Sequence, residues 1–202
     1  MIRRNTFVRS AVAASVLALA TISFGVTASA SAAPATQATA TCHGKAATIV
    51  GTSGHNEIEG TKGNDVIVGL AGNDEIDGNG GNDIICGGTG NDEIDGGSGN
   101  DWISGGAGRD EISGDRGNDK LYGNDSADEI DGDAGNDSIR GGKGNDELEG
   151  SSGRDTIRGD SGNDKIEGGT GKDKLAGGSG NDRVYANESR NHDSDDDHGD
   201  DD

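Results

Sequence analysis

Between Gly51 and Tyr185 an aliphatic side chain returns at every ninth position, from Ile58, Ile67 and Ile76 through to Val184. Most of its immediate neighbours are polar. A three-residue unit with an apolar middle reads as a short strand with one inward side chain, because successive strand residues point to opposite faces. The six residues between these units are rich in Gly, Asn and Asp, the composition of turns. The pattern predicts fifteen tandem nonapeptides, G-G-x-G-N-D-x-I-x, with no insertion or deletion. A fixed short period of this kind marks a solenoid.

The turn positions carry the chemistry. Position 1 is glycine in all fifteen repeats, position 4 in fourteen (Ser126 is the exception) and position 6 is aspartate in fourteen (Asn56 is the exception). Glycines at positions 1 and 4 are expected to supply positive φ, letting the turn close with its carbonyls converging. Asparagine, at position 5 in ten repeats, is expected in the left-handed region as well. Aspartate at position 6 sets a hard anionic oxygen beside those carbonyls, the donor set that calcium prefers.

Over residues 51–185 the repeat resembles the RTX (repeats-in-toxin, haemolysin-type) calcium-binding nonapeptide, G-G-x-G-x-D-x-U-x. The resemblance implies an all-β chain: a right-handed parallel β-roll, two repeats per turn, with calcium between stacked loops held by position-6 aspartates and backbone carbonyls. One column of loops then holds Asp65, Asp83, Asp101, Asp119, Asp137, Asp155 and Asp173. The other holds Asp74, Asp92, Asp110, Asp128, Asp146, Asp164 and Asp182, preceded by Asn56. Six gaps per column imply about a dozen ions at most. Two repeats depart from the pattern, the first with Asn56 and the ninth with Ser126 and Ala127. RTX repeats usually accompany an enzyme or toxin domain and a C-terminal export signal; neither is recognisable here, so no such activity is carried over.

Composition sharpens the reading. Only 28% of residues are apolar, and five are aromatic, too little for an ordinary globular core. With a formal charge of −21 such a chain would read as disordered if it lacked a period. Calcium is therefore expected to act as a folding partner. The acidic balance argues against nucleic acid, whose phosphates need clustered Lys and Arg. Residues 1–33 read as a secretion signal: Arg3, Arg4 and Arg9, an apolar stretch from Ala11 to Val26, then small-residue cleavage sites around Ala30 and Ala32. Past that segment no run is long enough to span a bilayer. Residues 34–50 are expected to be linker and cap, and 186–202, with seven aspartates, an acidic disordered tail. The product is expected to be extracellular and monomeric.

The outward positions sort into two faces. In odd-numbered repeats position 7 reads Glu57, Glu75, Glu93, Glu111, Glu129, Glu147, Lys165, Arg183, a carboxylate ladder that reads as a solvated face or as a cation- or mineral-binding surface. The even face opens with Val66, Ile84 and Trp102 flanked by Val68 and Cys86. An apolar patch like this is usually covered or bound. Two cysteines in a secreted chain point to one bridge, Cys42 to Cys86. Residues 41–50 are then expected to cap the first turn along the even face toward Trp102. The alternative is docking of another protein, which would make the chain an adhesion module.

No catalytic constellation is found. His43, His55, His192 and His198 lie in the flanks or the first repeat, and neither a nucleophile turn nor a phosphate-binding loop occurs. An ice-binding roll is disfavoured because position 3 holds threonine only at Thr89 and Thr170. The expected function is calcium binding by a secreted, non-enzymatic repeat protein with a structural or cell-surface role.

Overall fold

The computed structural model describes residues 40–186. The expected secretion signal, residues 34–39 of the linker, and the tail after Ala186, with His192 and His198, lie outside the described residues.

Strand pairing advances by 18 residues along the roll. Glu57 pairs with Glu75 and Ile58 with Ile76, Val66 with Ile84, and so on to Lys165 with Arg183. These ladders are parallel, and they build two eight-stranded sheets and a narrow three-stranded ribbon. Two nonapeptides therefore make one turn of a parallel β-solenoid. Odd repeats contribute three-residue strands such as Glu93–Asp95. Even repeats run on into the next repeat as six-residue strands such as Trp102–Ala107, so the two loops of a turn are not equivalent.

Between the sheets the position-8 side chains stack into one core, from Ile58 to Ile166. Ile49 packs against it although no repeat was recognised there. It stands nine residues before Ile58, and Ile49–Val50 pairs with Ile67 and Val68. The solenoid thus begins half a turn upstream of the first recognisable loop, a start hidden because residues 42–47 carry none of the turn glycines in register.

The glycines divide their work differently from the expectation. None of the position-1 glycines has positive φ; the left-handed residues sit at positions 2 and 4. Position 1 is glycine for want of room. A Cβ on Gly78 would lie 2.6 Å from the Gly96 carbonyl oxygen and 2.9 Å from Asp83 Oδ2. Position 2 accepts left-handed Asn79, Asp115 and Asp133, the short polar residues that visit this region. The position-5 asparagines are not left-handed either. From Asn64 to Asn163 each side-chain oxygen accepts the backbone N–H of the next turn, as in Asn100 to Asn82 Oδ1 at 2.7 Å and Asn118 to Asn100 Oδ1 at 2.8 Å.

At the N-terminal end the antiparallel pair Thr41–Cys42 and Lys45–Ala46 lies over the even sheet. Cys42 is bonded to Cys86 and packs with Val68 and Ile84, while Val66 and Trp102 flank the cluster. The His43 ring stacks on Trp102 with centroids 4.4 Å apart. The apolar patch is covered by the chain's own hairpin. Because the bridge closes a loop of 44 residues, loop-closure entropy gives it about 4 kcal/mol. Reducing it at saturating calcium is expected to lower unfolding free energy by about that amount in a denaturant titration.

Candidate metal centre

Each loop ends on its position-6 aspartate, and the rise of the solenoid brings the aspartates of successive turns into line. Twelve of the fourteen are buried, from Asp65 to Asp164; Asp173 and Asp182, in the last turn, are half-buried. The two carboxylate oxygens have separate fates. Oδ1 accepts the backbone N–H of the aspartate one turn earlier: Asp83 from Asp65 at 2.8 Å, Asp119 from Asp101 at 2.8 Å, Asp146 from Asp128 at 3.0 Å. Oδ2 is buried without a hydrogen-bond partner in eleven residues: Asp74, Asp83, Asp92, Asp101, Asp110, Asp119, Asp128, Asp137, Asp146, Asp155 and Asp164.

A buried carboxylate oxygen with no donor is costly, and so regular an array of them is the signature of a cation. The surroundings fit one. Glycine at position 1 leaves space beside each orphaned oxygen: a Cβ on Gly114 would stand 2.8 Å from Asp119 Oδ2, and one on Gly150 2.6 Å from Asp155 Oδ2. Position-4 carbonyls line the columns, so that a Cβ on Gly81 would lie 2.8 Å from the Gly63 oxygen. Among the described residues no three His, Cys, Asp or Glu side chains converge on one point. An ion here would complete its shell with neutral oxygens, backbone carbonyls or water, which favours a hard cation.

Burial also shifts the titration of these groups. Asp110, Asp119 and Asp128 are pushed up to about 7, and Asp101, Asp137 and Asp146 to about 6. Burial is the largest cause; the N–H bonds to Oδ1 oppose it, and neighbouring aspartates add to it. A carboxyl whose folded pKa is raised contributes stability below its unfolded value near 4, and that stability is lost as pH climbs through the folded value. In excess chelator the chain is therefore expected to show more β-sheet circular dichroism at pH 4.5 than at pH 8. Equal spectra at both would contradict the burial of these groups.

The RTX calcium-binding nonapeptide repeat, described as four copies per match, is found over residues 50–85, 87–121, 122–157, 149–184 and 158–191. The chain belongs to this RTX family. No curated protein matches it. RTX repeats bind calcium, and the regularly spaced buried aspartates are consistent with calcium-binding turns. At the ninth repeat Ala127 has no side-chain oxygen for the Asn145 N–H, but the turn and its aspartate keep their places. Ser126 keeps the left-handed φ of 86°, and Asp128 Oδ1 still accepts the Asp110 N–H at 2.9 Å.

The first turn differs. Asp65 Oδ2 is not orphaned, because the Thr61 backbone N–H and hydroxyl donate to it at 2.7 and 2.8 Å. Burial raises the Asp65 pKa, but these bonds and one from Thr48 outweigh it, and the net shift is downward. Asn56 Oδ1 likewise accepts the Thr52 N–H at 2.6 Å. The sequence reading missed these threonines. Their signal was visible, since threonine occupies position 2 only in the first two repeats.

On the odd face the carboxylates stack in register, Glu75 with Glu93 and Glu93 with Glu111. The Glu93 pKa is raised, by burial first and then by Glu111 and Glu75. Lys165 ends the ladder, with its Nζ 2.6 Å from Glu147 and 3.1 Å from Glu167. Among the described residues no helix is long and apolar enough to cross a membrane.

Proposed function

We propose that this RTX chain is a secreted, non-catalytic structural protein whose roll, residues 51–185, folds on the calcium it meets outside the cell. The observation that carries this reading is the pair of columns of buried aspartates, eleven of them with an orphaned carboxylate oxygen. Asp74, Asp83, Asp92, Asp101, Asp110, Asp119, Asp128, Asp137, Asp146, Asp155 and Asp164 are the ligands proposed first. Asp65, Asp173 and Asp182 stand at the ends of the columns as far as the described residues extend. Calcium bound there supplies the positive charge that the oxygens lack. The chain's residues supply a cradle with glycine walls and carbonyl oxygens.

The proposed organisation is a cleaved signal over 1–33, a linker and cap over 34–50, the roll, and an acidic tail over 186–202. Extracellular calcium modules typically have dissociation constants of about 10⁻⁴ to 10⁻³ M. Sites of that strength fill after export and stay empty inside the cell. The acidic ladder keeps rolls apart by charge repulsion, in keeping with a monomer.

Native mass spectrometry of the mature protein, with calcium and then with magnesium, tests the reading. About a dozen calcium ions are expected, taken up over a narrow concentration range. Magnesium is expected to leave the chain unloaded, since it demands octahedral geometry and keeps its waters. A chain that takes up one or two calcium ions, or loads equally with magnesium, would sink the proposal.

A further inference from the structure

The two ends of the roll are built differently, and the difference concerns what holds them when no ion is present. At the N-terminal end every loop contact needing a donor finds one within the chain. Thr61 donates twice to Asp65 Oδ2. The Thr48 hydroxyl lies 3.2 Å from Asp65 Oδ1 and accepts the Val66 N–H at 2.9 Å. In the other first-turn loop a neutral amide replaces the carboxylate: Asn56 accepts the Thr52 N–H at 2.6 Å and donates to Thr52 Oγ1 at 2.9 Å and to the Gly54 carbonyl. Both loops also differ in backbone, because Thr52, Gly54, Thr61 and Gly63 are absent from the positive-φ positions that the later loops share. The Cys42–Cys86 bond ties the hairpin to the second turn, and Cys42 packs on Val68 of the first.

The C-terminal end has no matching closure among the described residues. Val184 is 44% exposed and Tyr185 50%, Leu175 is only partly buried, and Lys174–Ser179 and Arg183–Tyr185 are edge strands.

We propose that the first turn is a hydroxyl-capped, metal-independent template from which the roll assembles toward its C-terminus, one calcium-loaded turn on another. Thr61 is its key positioning residue: its hydroxyl takes the place that a cation is proposed to take beside Asp74 and its successors. The inference rests on the calcium reading above. A solenoid turn contacts only its neighbours, so folding starts wherever a turn is stable first and spreads from there. Here that place has a covered apolar patch, a satisfied carboxylate at Asp65 and a neutral amide at Asn56, with the disulfide holding the hairpin over it. The stacked loops beyond it repel one another until ions arrive.

Calcium-jump kinetics on the mature, disulfide-intact chain test this by far-ultraviolet circular dichroism. Thr61→Val, which keeps the shape and removes the hydroxyl, is expected to slow folding about tenfold, the worth of one hydrogen bond to a charged group. It is expected to leave unfolding by chelator at the parent rate, as for a group already placed in the transition state. Thr61→Ser is expected to restore the folding rate. Leu175→Ala at the far end should do the reverse, speeding unfolding and leaving folding unchanged. In pulsed hydrogen exchange, protection is expected first in peptides from 41–86 and last in those from 159–185. Normal folding of Thr61→Val, or protection that starts at 159–185, would overturn the template. If calcium produces no protection in any peptide, the calcium reading fails first and the template with it.

Discussion

Stripping calcium from the folded protein is expected to more than double its radius of gyration, the largest change that any single treatment will produce. The eleven orphaned oxygens are each a buried charge that lacks a partner once the ion leaves, at several kcal/mol apiece. A domain's net stability is only about 5–15 kcal/mol, so a few such groups suffice to unfold it. For a mature chain of about 170 residues the compact radius is about 15 Å and the unfolded one about 43 Å. An elongated roll starts somewhat above the lower figure. Small-angle scattering in excess chelator, then after calcium is restored, gives the answer directly. A reversible expansion is expected, and magnesium is not expected to reverse it. A radius unmoved by chelator would mean that the disulfide, the asparagine ladders and the aliphatic stack hold the roll unaided.

The second large effect separates two adjacent glycines. A Cβ on Gly96 would lie 2.9 Å from Asp101 Oδ2, 3.0 Å from Ile103 Cδ1 and 3.2 Å from the Gly114 oxygen. Gly96→Val therefore presses on the core and on the proposed cation cradle together. Overpacking alone costs about 1–3 kcal/mol, and loss of ions near the Asp101 loop adds to it. Fewer bound ions by native mass spectrometry and a lower denaturant midpoint are both expected. Gly97 is left-handed, with φ of 87°, and looks the more sensitive of the two. Yet Asn79, Asp115 and Asp133 occupy the same place in neighbouring turns with φ of 66°, 61° and 60°. A Cβ on Gly97 would press on the Asn79 carbonyl, so Gly97→Asn must settle nearer the φ of about 60° that Asp115 and Asp133 adopt. Short polar side chains accept that conformation, and the variant is expected to lose about 1 kcal/mol and no bound ions. Similar losses for both variants would show that left-handed φ, not room beside the carboxylate, is what the glycines provide.

The opposed roles of these glycines show where sequence reading stops. Their recurrence is plain in the chain, but a string of letters does not tell a glycine needed for its φ from one needed for its missing Cβ. That distinction depends on which atoms of the next turn lie above, as the Gly96 and Gly114 carbonyls do over Gly78 and Gly96. The position-5 asparagines were misread for the same reason. Their acceptor role appears only when a loop 18 residues away is stacked on them, as Asn100 is on Asn82.

The sequence alone determined the all-β solenoid, its period and the identity of the core. Ile58 through Ile166 are the apolar residues that recur at one phase, and a strand can turn only that phase inward. With the two-repeat turn that the RTX resemblance implies, it also placed the acidic columns, because an 18-residue turn aligns every second aspartate. The tertiary structure decided which carboxylate oxygens are satisfied and which are not. Asp65 and Asp83 carry the same letter at the same position. The first is answered by Thr61, and the second has an oxygen that no donor reaches. Hydrogen bonding in a roll is settled between turns, through contacts that close in space at 18 residues' distance, and local sequence fixes the partners only where, as at Thr61, they lie within one loop.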